Sequence, residues 1–153
     1  MRRLLFLALF SLSAVASASQ PTGKKYGPWD VVSIASLSGA GGDDASVILA
    51  QGEEPNVLQV RWIQGGPVVA SINVEKCLRE GDFEASYAVE TKQWLQLSRR
   101  EIQMRLRADI GAWLDQAMLV CGPNPAIKAF RLDGLEAAAS DFDDRLRYFA
   151  SAE

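Results

Sequence analysis

The chain has 153 residues, the size of one domain, and its 16 basic side chains against 19 acidic ones leave a formal charge of −3. That balance excludes a basic nucleic-acid footprint, because too few cations are available to neutralise a run of phosphates. At 48% apolar and 23% charged residues the composition is that of a folded protein, and the lack of any histidine removes Ser-His-Asp and Cys-His catalysis, imidazole metal ligands and the commonest general base.

Met1-Arg2-Arg3 is a short positive stretch, Leu4 to Leu12 a nearly unbroken apolar run, and Ala14-Val15-Ala16-Ser17-Ala18 a set of small residues at cleavage spacing. This is the pattern of a secretory signal over residues 1–18, cut after Ala16 or Ala18. The apolar run is short for a bilayer span, and no later stretch reaches the roughly 18 apolar residues that a spanning helix needs. No stable membrane insertion is therefore expected once the signal is removed. Loss of Arg2 and Arg3 with the signal takes the charge from −3 to −5, so an acidic periplasmic or secreted protein is expected. Its two cysteines, Cys77 and Cys121, are then in an oxidising compartment, where an even count predicts a disulfide.

Residues 19–28 carry Pro21, Gly23, Gly27 and Pro28 with few apolar side chains, and read as a leader to a single domain over 29–153. Strands are predicted over Trp29–Ser36, Ala45–Ala50, Val57–Ile63, Val68–Val74, Phe83–Val89 and Trp94–Ser98, separated by clusters rich in Gly, Pro, Asn or charge. Leu58, Val60 and Trp62 alternate with Gln59, Arg61 and Ile63, as in an antiparallel sheet with one core face and one mostly solvated face. The period then changes. Ile102, Leu106, Ile110, Trp113 and Leu114 recur at three- and four-residue steps, which predicts an amphipathic helix over about 99–115. Ala117–Gly122 and Ala126–Leu132 read as two more strands around the Gly122-Pro-Asn-Pro125 turn. A final helix over about 134–150 follows from the stripe Leu135, Ala139, Phe142, Leu146 and Phe149, with Asp133-Gly-Leu-Glu136 as its capping box. Asp141–Arg145 and Asp143–Arg147 are predicted as i,i+4 ion pairs on its opposite face. The fold class is α+β: an antiparallel meander of about six to eight strands with two packed helices.

Few residue constellations suit chemistry. Ser38-Gly-Ala-Gly-Gly-Asp-Asp44 lacks the Lys-Ser or Lys-Thr of a phosphate loop, and its carboxylates repel phosphate, so it reads as a connection. Asp43 and Asp44 alone do not make a calcium site, and without histidine the cysteine spacing fits no zinc site; no metal and no cofactor are expected. Glu53, Glu54, Glu80, Asp82 and Glu84 are candidates for a carboxylate pair in glycan hydrolysis, but nothing in their spacing sets two of them across a cleft. Arg99, Arg100, Arg105 and Arg107 bracket the first helix, with Glu101 and Asp109 as intrachain partners. The four tryptophans read as core anchors, Trp62 beside Arg61 being the one to test for exposure.

Taken in order, these segments resemble the type VI secretion system-associated TagO/VasI family of exported proteins. The resemblance runs from Trp29-Asp-Val-Val, through Asp43-Asp44-Ala-Ser-Val47, Leu58-Gln-Val-Arg61 and Trp94–Ser98, to Phe130-Arg-Leu-Asp-Gly-Leu135. The last pattern is also similar to the invasion-associated locus B family. In the TagO/VasI pattern a cysteine follows the strand arginine and another follows the last helix; here Trp62 stands at the first position and the second is missing, which implies a relocated bridge. Either resemblance implies a non-enzymatic envelope accessory protein; with the export signal and the missing catalytic residue types, the expectation is a module that binds another envelope protein, such as a component of a secretion apparatus, with Asp43, Asp44, Arg61 and Trp62 as candidate contact residues. An inhibitor or immunity protein against a secreted cell-wall hydrolase is the alternative, because an acidic surface suits a basic enzyme.

Overall fold

The computed structural model describes residues 22–36, 44–77 and 81–151. The predicted signal, residues 1–18, lies outside them. Six strands follow one another as an antiparallel meander in the order β1-β2-β3-β4-β5-β6: β1 Thr22–Tyr26, β2 Trp29–Ser36, β3 Asp44–Glu53, β4 Asn56–Ile63, β5 Val68–Cys77 and β6 Gly81–Val89. Strict alternation builds the sheet, as in β5, where Val68, Ala70, Ile72 and Val74 are buried and the residues between them are partly exposed. The α+β class expected from the sequence is the one found.

Four helices follow among the described residues: α1 Thr91–Leu95, α2 Arg99–Cys121, α3 Pro125–Ala129 and α4 Leu135–Ala150. The two long ones cover the same face of the sheet, α2 over β5 and β6 and α4 over β1, β2 and β3, and they touch each other. Between helices and sheet lies one core, in which Trp29, Trp62, Trp94, Ile102, Leu106, Ile110, Leu135, Phe142 and Leu146 are buried. Trp113 is half-buried and packs on the Tyr87 ring, 5.5 Å between centroids.

Five expectations are corrected. Residues 22–26 of the supposed leader form β1, which pairs with β2 from Thr22↔Ser33 to Tyr26↔Trp29 through the two-residue Gly27-Pro28 turn. As an edge strand it is exposed along most of its length, so it carries no alternation for a sequence pattern to reveal. Trp94–Ser98 is not a strand: α1 ends there, and Ser98 caps α2 by accepting from the Glu101 amide while the Glu101 carboxylate accepts from the Ser98 amide. Ala117–Cys121 continues α2, and Pro125–Ala129 is α3, capped by Asn124 with proline at its first turn. The capping box at Asp133–Glu136 does not form; the cap is Gly134 at φ 80°, with no side-chain cap bond. Glycine is required there, since a Cβ would stand 2.5 Å from the Tyr26 carbonyl oxygen.

Two networks tie the helical layer to itself and to the sheet. Asp143 is buried within α4, accepting from the Trp94 indole at 3.0 Å and from Arg147 Nε at 3.0 and 2.9 Å, while Arg147 also donates to the Leu95 and Leu97 carbonyls. The expected Asp143–Arg147 pair thus forms, but toward the core rather than on a solvated face. Arg145 pairs with Asp141 and reaches the Thr22 carbonyl and the Ser33 hydroxyl, holding β1 and β2 to α4. At the other end of the sheet, buried Gln51 pairs with the backbone of Arg131 through two 2.7 Å bonds, as a neighbouring strand would. Cys77 and Cys121 are disulfide-bonded, joining the end of β5 to the end of α2.

Candidate functional site

Among the described residues the helices cover one face of the sheet and no element packs on the other. The register aligns Val32, Ile48, Arg61, Val69 and Ala88 as a row across five strands on that open face. One step along, Ile63 lies beside Ser46, which is opposite Ile34. Ile63 is 53% exposed and Ile34 39%, so both leave a substantial apolar area in water. In the other direction the rows turn polar, with Gln59, Ser71 and Ser86, then Asn73 and Glu84. The apolar part is confined to the end of the sheet that carries the β4–β5 turn.

Arg61 stands inside this apolar part. Its cross-strand neighbours are Ile48 and Val69, it is exposed, and among the described residues it has no ion-pair partner. A hollow of about 410 Å³ beside it is lined by Arg61, Ile63, Gln64, Pro67 and Val69 together with the turn glycines. Gln64 closes this end of the sheet: its amide donates to the Ala45 carbonyl at 2.8 Å, and its side-chain oxygen accepts from the Ala45 amide at 3.1 Å.

Trp62 does not share this surface. Successive strand side chains point to opposite faces, and with Arg61 outward Trp62 is turned into the core, 1% exposed. Its indole donates to the Thr91 hydroxyl at 3.0 Å, which donates in turn to the Gly66 carbonyl at 2.7 Å. It anchors α1 to the β4–β5 turn instead of offering a contact. Asp44 begins β3 in register with Ser36, at the same end of the sheet as Ile63; Asp43 lies outside the described residues.

The other candidates have structural partners or stand apart. Arg99 pairs with Asp144 and Arg107 with Glu136, so these cations bind α2 to α4 rather than to Glu101 or Asp109. Glu101 serves the α2 cap, whose donors hold its carboxyl below the usual range. Of the carboxylates, Glu53 is at the β3–β4 turn, Asp82 accepts from the Lys76 amide, Glu84 lies on the polar part of the open face, and Glu80 is outside the described residues. Tyr87 has a buried hydroxyl that makes no full-strength hydrogen bond among the described residues; burial first, then the negative charge and acceptor oxygen of the nearby Asp109 carboxylate, push it well above the ordinary tyrosine value. Among the described residues no three cysteine, aspartate or glutamate side chains group as metal ligands, and no helix is long and apolar enough to cross a membrane.

The signal available for the open face is the alternation itself. In β4, Ile63 falls on the parity of Gln59 and Arg61, which marks it as an apolar residue on the side away from the core. Which strands lie beside it, and hence that Ile34, Ile48 and Val69 join it, depends on the pairing register. Comparison with family models, curated proteins and solved structures gives no significant match.

Proposed function

We propose that this chain is an exported, non-catalytic interaction module of the cell envelope that holds a partner protein against the uncovered face of its sheet. The observation that carries the reading is the pair of exposed isoleucines, Ile34 and Ile63, beside the partly exposed Val32, Ile48 and Val69 of the adjacent row, on a face that no described element covers. Covering Ile63 alone returns about 1 kcal/mol, given that half of it is in water and that full burial of such a side chain is worth roughly 1.5–3 kcal/mol. The cluster belongs to a rigid sheet, so a partner does not pay for ordering it.

Export is supported by the N-terminal sequence pattern and by the disulfide, which persists in an oxidising compartment. The resemblance to the TagO/VasI family directs the search toward components of a secretion apparatus. The test is affinity capture from cross-linked envelope extract of the protein's own host, comparing the native chain with Ile63→Asp. A protein of the envelope recovered by the native chain and lost with the folded variant supports the reading. Equal recovery by both overturns it.

A further inference from the structure

We infer that the partner segment seated on the open sheet face presents a carboxylate to Arg61 from within an apolar surround. This rests on the proposed binding role of that face. Arg61 is the one charged residue of the row Val32, Ile48, Arg61, Val69 and Ala88, and no acid of the described residues pairs with it. A partner that covers Ile63 and Val69 must also cover Arg61, which adjoins both and lines the same hollow. An apolar partner leaves that charge desolvated and unpaired, which disfavours docking, whereas a carboxylate compensates it with two parallel hydrogen bonds.

A two-fold pairing of this chain centred on Arg61 brings two guanidinium groups together, which disfavours a second copy as the occupant, and the row of Arg61 holds no carboxylate of its own. The hollow lined by Arg61, Ile63, Pro67 and Val69 gives an incoming acidic side chain room beside the guanidinium.

The experiment places a photo-cross-linking amino acid at position 63 of the full chain in its own host and maps the joined peptides. It is repeated with Arg61→Leu, which keeps the stem packing without the charge, and with Arg61→Glu. The expected result is a protein peptide with Asp or Glu within two residues of the joined site, and a yield at least 30-fold lower in both variants, as for truncation of a buried charge pair. Restoration of the Arg61→Glu yield by Lys at the mapped acid identifies the pair. An undiminished or greater yield with Arg61→Leu overturns the carboxylate while leaving the face as a docking site. Joining to a second copy, to glycan or lipid, or to nothing overturns both.

Discussion

Asp143 offers the most exacting test of how the helical layer is held. Its side chain is 3% exposed and that of its partner Arg147 36%, and it accepts both from Arg147 and from the Trp94 indole. Removing one member of a buried ion pair costs about 3–5 kcal/mol, but Arg147 is exposed enough to be partly rehydrated. Asp143→Asn keeps an acceptor for Trp94 and loses the charge, so it should cost about 2 kcal/mol. Asp143→Ala also leaves the buried indole without a partner, adding about 1–2 kcal/mol. Urea unfolding followed by tryptophan fluorescence reads both, with the denaturant slope unchanged if only stability is altered. A cycle of Asp143→Asn with Arg147→Leu should show coupling above about 1 kcal/mol. Stability of Asp143→Asn within about 0.5 kcal/mol of the native chain, or no coupling, would refute the assignment of this network as a main tie between α1 and α4.

The disulfide spans 44 positions, a loop whose closure is worth about 4 kcal/mol in the chain-entropy model; scanning calorimetry with reductant should show a midpoint lower by roughly 10–20 °C, and an unchanged midpoint would contradict the bridge. Tyr87 keeps its proton longer in the folded state than in the unfolded one, so stability should be full below about pH 10 and fall as pH rises above it. Tyr87→Phe should remove that part of the alkaline loss in urea titrations at pH 9 and 11; an unaltered alkaline slope would count against it. Gly134→Ala should cost about 2 kcal/mol or more, since φ is positive and Tyr26 blocks the methyl, whereas Gly111→Ala in open space on α2 should stabilise by about 0.5–1 kcal/mol. Chemical denaturation of the two variants distinguishes them by sign.

Much of the sheet was legible because its core face alternates: Leu58, Val60 and Trp62, and then Val68, Ala70, Ile72 and Val74, mark strands by period alone. The stripe of α4 was equally plain. What failed was short or unpatterned. Thr22–Tyr26 is polar on both faces because it is an edge, and Trp94–Ser98 and Ala117–Gly122 are apolar runs too short for period to separate helix from strand. The local signal for the start of α2 is the capping box in Ser98-Arg-Arg-Glu101. At the candidate site, Arg61 was placed correctly on the open side by parity, and the same parity assigns Trp62 to the core, against its selection as a contact residue. The apolar neighbours of Arg61, Ile48 and Val69, come from the two adjoining strands, with Val32 and Ala88 beyond them in the same row, a juxtaposition made by register and not by any local pattern.

The helical side carries exposed apolar residues of its own, Leu119 at 85% and Tyr148 at 72%, and they supply the control for the binding face. The measurement is a scan in the protein's own host with a photo-cross-linking residue placed singly at positions 34, 63, 119 and 148. Joining to one and the same envelope protein from 34 and 63, with none from 119 and 148, is the predicted result. Joining from 119 or 148 with none from 34 and 63 would contradict the assignment of the open sheet face as the binding surface.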